Sequence, residues 1–356
     1  MATNDGSGSG AWPPLAAPGL LLWPNMPSNE FAELVELADS IGYSELWNAD
    51  IRFQRDCYLG LALAARHSRQ LLIGPGVSDP YSRHPALIAM AMATLDEISG
   101  GRVQIGLGMG GSGLAEMGII QHRPVRALRE GIELIRAMLA EPVVDYEGEL
   151  FRLHGSGLGF APLRRAIPIF VATHSPQVLR LAGRIADGVL LANLARRTAI
   201  DRATSLLRRS EADGGRAHGS VAVHLRLETC ISDDEERALD VVRRRFAMRL
   251  VNTYPRWQSL DDLGIEPTAL AKRAAAARDV DAVAGELTER DVRSTALCGS
   301  VQTVIAQVRE ALTPEIAKVT IRPLALPKQA PTVTMVRFLQ EVWPHIKGAI
   351  PGAPPS

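Results

Sequence analysis

Cysteine is scarce in this chain. Its three copies, Cys57, Cys230 and Cys298, are spread over 356 residues. That is too scattered for a disulfide framework or a metal knot, and it suits a reducing compartment. No His/Cys/Asp/Glu cluster has metal-ligand spacing, and no G-x-S-x-G or comparable nucleophile motif is present. Net charge is lacking too, since Lys+Arg and Asp+Glu both number 39. A neutral balance argues against nucleic acid or an anionic membrane as the main partner. No apolar run reaches transmembrane length. The first residues lack the basic start and apolar stretch of a signal peptide, so a cytoplasmic protein is expected. No internal repeat is visible.

What remains is an ordinary globular composition, 46% hydrophobic and 22% charged. The length exceeds a usual single domain but suits a barrel of alternating strands and helices. Residues 1–18 are Gly/Ser-rich, then Pro-rich, and read as a disordered arm; 348–356 read as a flexible tail. The fold is left to residues 19–347.

The stretch from Leu71 to Gly111, LLIGPGVSDPYSRHPALIAMAMATLDEISGGRVQIGLGMGG, organises the rest. Leu71-Leu72-Ile73 reads as a buried strand that breaks at Gly74-Pro75-Gly76. Pro85 to Ile98 reads as an apolar helix that starts at His84-Pro85 and stops at Gly100-Gly101. Val103 to Leu107 is a second strand. Both strands end in glycines, where parallel α/β enzymes place ligands.

The same alternation continues elsewhere. Strands are expected at 19–23, 45–48, 169–172, 188–191, 221–231 and 317–323. The first helix is expected from about Ser28, a capping candidate, to Ser40. Further helices are expected at about 56–66, 125–139, 176–185, 198–212, 301–312 and 333–346. The Gly/Pro-rich segment 155–168 is expected over the mouth. Residues 232–297 are long for a connection and read as an insertion between the seventh strand and the following helix. Eight strands alternating with helices predict an α/β fold, a closed (β/α)8 TIM barrel.

Gly106, Gly108 and Gly111 also fit G-x-G-x-x-G, the dinucleotide fingerprint. No helix follows at once, because Ser112-Gly113 intervenes, and the residue about twenty positions on, Glu130, lies inside a helix. The preferred reading is a backbone amide cradle for a flavin-like phosphate at Gly108, Met109 and Gly110. A side chain at Gly110 would block that approach. Its second half is Ala172-Thr173-His174-Ser175, where the fifth strand meets a helix and Ser175 either caps that helix or meets the anion. Asp96 and Arg102 are expected to form a structural ion pair. His84 stands either as a catalytic group or as a helix-start histidine bonded to backbone.

GVSDPYSRHPALIA and TLDEISGGRVQIGLGMG, with Arg55-Asp56 before an apolar helix and IPIFVATHSPQVLRLAGRIADGV, resemble the luciferase-like family of barrel oxidoreductases. The likeness is strongest to its coenzyme F420 (deazaflavin) branch, of the methylenetetrahydromethanopterin reductase type, and covers residues 19 to 195 well. It implies an F420-dependent reductase passing a hydride to a small-molecule or peptide substrate, with FMN as the alternative cofactor. It implies cofactor contacts at Asn48, Asp50, Gly76, Val77, Gly108, Met109, Gly110, Ala172, Thr173, His174 and Ser175. A non-proline cis peptide is implied at Gly76-Val77, and catalytic roles at Asp50 and His84. The family's Asp-His pair ends here in Ile51, and the carboxylate that the family's sugar-phosphate dehydrogenases carry after the strand-four glycines is replaced by Gly111. The other readings are an FMN-dependent monooxygenase and a barrel that binds a flavin-like ligand without turnover. A homodimer through first-half helices is implied.

Overall fold

The computed structural model describes residues 15–111 and 113–348. The expected arm lies outside the described residues as far as residue 14, and the tail from residue 349 on. Eight parallel strands alternate with helices. They are β1 Gly19–Leu22, α1 Ser28–Ile41, β2 Glu45–Asn48, α2 Cys57–His67, β3 Leu72–Pro75, α3 Pro85–Ser99, β4 Ile105–Leu107 and α4 Pro124–Ala140. β5 Ile169–Ala172, α5 Pro176–Ile185, β6 Gly188–Ala192, α6 Arg197–Asp213, β7 Ala222–Ile231, α7 Val301–Ala311, β8 Lys318–Pro323 and α8 Thr332–Arg337 follow.

Neighbouring strands pair in the order β3-β2-β1-β8-β7-β6-β5-β4. Parallel bridges Ile73–Val103 and Ser78–Leu107 bring the two ends together. The expected (β/α)8 barrel is the observed fold. An antiparallel hairpin, Val144–Glu147 with Arg152–Ser156, follows α4. Between β7 and α7 lie helices Glu235–Thr253, Gln258–Leu263, Ala269–Ala276, Val280–Gly285 and Glu289–Arg293. The strand Ala296–Gly299 then pairs with β7 beyond the point where β6 leaves it.

Local chemistry explains the element ends that set the mouth. Asp56 caps α2, its Oδ1 accepting from the amides of Tyr58 and Leu59 at 2.8 and 3.0 Å. α3 opens with proline at its first position and closes at Gly100 in the left-handed conformation.

Inside the barrel, Leu21, Trp47, Phe170 and Leu190 pack as one cluster. The Trp47 and Phe170 rings meet edge to face at 5.6 Å. Below them sits Glu45, fully buried. Its carboxylate accepts from Trp47 Nε1 (2.8 Å), Thr320 Oγ1 (2.8 Å), Gln104 Nε2 (3.1 Å) and Lys318 Nζ (3.1 Å), with His224 Nδ1 at 3.4 Å. A buried charge is tolerated only when paired and hydrogen-bonded to this degree. This polar plug closes the barrel floor, so the open end is the carboxyl-terminal mouth.

Three local expectations are corrected. Asp96 and Arg102 do not pair. Asp96 accepts from Arg164 at 2.5–3.1 Å. Arg102 instead donates to the carbonyls of Ala65, Ser68, Leu71 and Ser99, because its fork of donors reaches the carbonyls left at the ends of α2 and α3 and before β3. The segment 155–168 does not cover the mouth: Arg164 also reaches the carbonyl of Val103 at the start of β4, at the opposite face. α1 begins at Ser28 itself, preceded by Pro27, and no side chain caps it.

Candidate active site

A cavity of about 420 Å³ opens at the carboxyl ends of the strands. Asp50, Gly76, Val77, Gly108, Met109, Gly110, Ala172, Thr173, His174 and Ser175 line it. Asn48 and His84 do not.

The glycine run after β4 behaves as a loop. The Gly108 amide donates to the Ser78 carbonyl at 2.8 Å, which completes the β3–β4 seam. It is therefore committed, contrary to the cradle placed at 108–110. The amides of Met109, Gly110 and Gly111 donate to no protein acceptor among the described residues, so the unbonded run is 109–111 rather than 108–110. Gly110 has φ +78°, and an added Cβ would lie 2.7 Å from Leu114 Cδ1. Only glycine suits that turn. Glu130, the acid that a dinucleotide fingerprint would need, is buried in α4. It accepts from the amides of Glu149, Leu150 and Phe151 and holds the hairpin turn. Glu130 is thus occupied by the hairpin and is no ribose acceptor.

α5 brings the second set of donors. Ser175 occupies its N-cap position, yet its hydroxyl makes no capping bond. The Thr173 hydroxyl accepts from the Ser175 amide at 2.9 Å. The His174 amide has no protein acceptor among the described residues. The start of α5, with its positive dipole end and a free hydroxyl, thus faces the same cavity as the glycine loop. His174 lines the cavity as well, and burial holds its imidazole below the ordinary value, so it is neutral at neutral pH.

β3 supplies the wall between. Ile73 is bridged to Val103 and Ser78 to Leu107, so β3 spends one residue more than β4 over this stretch. The bulge holds Gly76 and Val77, and their peptide bond is cis, as the resemblance implied. A Cβ on Gly76 would meet Trp47 Cβ at 2.8 Å, so glycine lets the bulge sit against the barrel core.

Asp50, just past β2, is fixed from several sides. Ser78 Oγ donates to Asp50 Oδ2 at 2.6 Å, and the Tyr58 hydroxyl lies 2.9 Å from the same Oγ. Arg52 donates to the Asp50 carbonyl at 2.7 Å, and its guanidinium pairs with buried Asp79. Asp79 in turn accepts from the amides of Tyr81 and Ser82 and shapes the loop before α3.

His84 and Asn48 serve the scaffold. His84 is the N-cap of α3, its Nδ1 accepting from the Ala86 amide at 3.2 Å, and its ring packs edge-on against Phe151. Pro85 behind it fixes that extended geometry. Asn48 Nδ2 donates to the Cys57 carbonyl at 2.9 Å and ties β2 to α2. Neither reaches the cavity.

The sequence reading missed Arg52, Asp79 and Arg226, which also line the cavity. Arg52 and Asp79 stand in loops, where polarity is expected and carries little signal. Arg226 was detectable as an arginine inside an apolar strand, VAVHLRLETCI, at the inward phase. Burial lowers its guanidinium to about 10, which Glu228 partly opposes.

Among known proteins, residues 7–314 match the luciferase-like monooxygenase family. The 5,10-methylenetetrahydromethanopterin reductase of Archaeoglobus fulgidus is 38% identical over 174 residues, 49% of this chain and 52% of that protein's own length. The 4-hydroxyprotoasukamycin monooxygenase of Streptomyces nodosus subsp. asukaensis is 31% identical, covering 82% of this chain and 77% of that one. The solved structure of the coenzyme F420 dependent tetrahydromethanopterin reductase from Methanopyrus kandleri superposes with a TM-score of 0.83 at 26% identity. It covers 93% of this chain and 100% of the other. Fold, glycine loop and family match agree: the chain belongs to the luciferase-like monooxygenase family.

Proposed function

We propose that the chain is a coenzyme F420-dependent oxidoreductase, a reductase that moves a hydride between the reduced deazaflavin and an organic substrate. The observation that carries this reading is the mouth itself. Uncommitted amides of Met109, Gly110, Gly111 and His174 line the same cavity as the Gly76–Val77 bulge. The name of the Methanopyrus relative, a coenzyme F420 dependent reductase, supports the deazaflavin over other cofactors, and that of the Archaeoglobus relative supports a reductase.

The residues present fit such a group. The free amides, the Ser175 hydroxyl and the start of α5 would hold its phosphate, and Gly76 and Val77 would back its ring. When bound, the reduced deazaflavin supplies the hydride. The protein's part is positional. Asp50, held by Ser78 and Arg52, offers a fixed acceptor at the cavity wall. Trp47 and Phe170 belong to the apolar cluster on which the cavity residues Val77 and Ala172 pack. With isoleucine at position 51, orientation replaces side-chain acid/base work at that position.

Titration by fluorescence quenching tests the reading. Micromolar binding of F420 and much weaker binding of FMN are expected. Tighter binding of FMN hands the case to a second reading, an FMN-dependent monooxygenase; the name of the Streptomyces relative supports its monooxygenase part alone.

The same reading includes a homodimer. α2 and α3 turn Leu59, Leu87, Met90 and Ile98 outward, exposed on one side of the barrel. Apolar residues at helical spacing on an outer face suit a covered, self-complementary surface. Light scattering at micromolar concentration should give twice the chain mass, and a monomer mass refutes the dimer.

A further inference from the structure

Beyond β6 from the glycine loop, guanidinium groups gather around β7, and one of them, Arg226, stands in the cavity wall. Arg226 and Glu228, two residues apart on β7, share its inward face. Register sets Arg322 of β8 beside Glu228, and Arg322 Nη1 donates to Glu228 Oε1 at 2.6 Å. The helix Glu235–Thr253 adds Arg245 and Arg249, one turn apart, with nitrogens 3.4 and 3.6 Å from the same carboxylate. Arg322 and Arg245 also lie against the Trp23 ring, 3.6 and 4.9 Å from its centre. Arg226 lines the cavity, one nitrogen 3.5 Å from the Gly76 carbonyl.

Three guanidinium groups therefore lie within 4 Å of one carboxylate, and Arg226, two residues along the same strand face, adds a fourth positive charge without an acid partner of its own among the described residues. One arginine would satisfy Glu228. The others add repulsion and desolvation cost with no second counter-charge among them. Arg249 stands beyond hydrogen-bond length, and Arg245 Nε is buried without a partner among the described residues. The side chains of Arg245 and Arg249 remain 24% and 28% exposed, so a solute can reach them. A planar oxyanion is the group such forks accept in pairs.

We propose that this wall is the substrate's anion subsite: the organic substrate is a carboxylate that seats its acid group among Arg226, Arg245, Arg249 and Arg322. This rests on the reading of the cavity as a cofactor-plus-substrate site. The cofactor phosphate has its own donors in the amides of 109–111 and the start of α5, which leaves the arginines for the second ligand.

Matched probes test it. Benzoate with benzamide, and cinnamate with cinnamamide, are titrated calorimetrically into the protein with and without F420. Each acid should bind at least about ten-fold tighter than its amide, about 1.4 kcal/mol. Arg249→Met should remove that preference while changing F420 affinity less than about two-fold. Glu228 keeps Arg322 in that variant, and Arg249→Lys, which retains charge, should recover part of the preference. Equal binding of acids and amides by the unmodified protein overturns the proposal whether or not any variant folds. A parallel loss of F420 and acid affinity in Arg249→Met overturns it too, by assigning the wall to the cofactor. Preference for the acids without any F420 binding would sink the functional reading and leave the subsite standing.

Discussion

Gly111 gives the cleanest handle on the cradle. A Cβ added there meets no described atom within 4 Å, and its backbone is outside the left-handed region. Valine at that position should leave stability within about 0.5 kcal/mol, while its branches occupy space at the rim of the cavity that Gly111 lines. Gly110 is the opposite case. With φ +78° and Leu114 Cδ1 at 2.7 Å, a β-branched residue there costs about 1–2 kcal/mol in backbone conformation and about 1–3 kcal/mol in overpacking. That total lowers the thermal midpoint by on the order of 10 °C. Cofactor titration and thermal unfolding on both variants separate the effects. If the 109–111 amides hold a phosphate, Gly111→Val weakens cofactor binding at least about ten-fold, about 1.4 kcal/mol, at an unchanged midpoint. Full affinity in a folded Gly111→Val protein refutes the cradle. The sequence alone directs this test to Gly110, where loss of binding and loss of fold arrive together.

Glu45→Ala strands Lys318 in the barrel floor and should cost about 3–5 kcal/mol in urea unfolding; a loss below about 1 kcal/mol means that the plug is not a stabilising network. Burial pushes the Glu45 carboxyl up, but His224 and Lys318 outweigh it and hold it well below the usual carboxylate range. Its stabilising share is therefore present above that range and is lost as pH falls through the folded value, so the variant should flatten the acid limb of a stability–pH curve. His174 is depressed by burial, so the unfolded chain binds the proton first. Stability should fall as pH drops from the ordinary histidine value through the lower folded one, and His174→Gln should shallow that slope; an unaltered slope excludes the assignment.

The barrel was legible because its signals are local. Apolar runs of strand length, glycines past strand ends and Asp56 before an apolar helix each need only a few adjacent residues. The glycine turn past β4 was legible for the same reason, but its run of unbonded amides starts one residue later than expected. Which amide the β3–β4 seam consumes depends on the bulge, and the bulge depends on pairing between strands. Asp96 was matched to Arg102 by nearness along the chain. The true partner, Arg164, stands 68 positions away. Buried charges are paired by tertiary geometry, and sequence distance carries little information about it.

The arginine wall marks the deeper limit. Arg226 and Glu228 show only as polar residues at the inward phase of β7. Arg322 joins them through parallel register with β8, and Arg245 and Arg249 through a helix that folds back from the insertion. No window of sequence contains this group, although every member is ordinary by itself. The two sides of the mouth thus differ in physical kind. Backbone amides and a helix start offer directional partial charge that is present at any pH and carries no counter-ion. The guanidinium groups bring whole charges into a half-buried wall, where one glutamate leaves them in excess. A phosphate suits the first and a carboxylate the second, and neutral His174 lines the same cavity without adding to either charge. A barrel that meant to hold one ligand would need only one of these devices. Two of them, on walls built from different strands, are what a cofactor and an acidic substrate meeting in one mouth require.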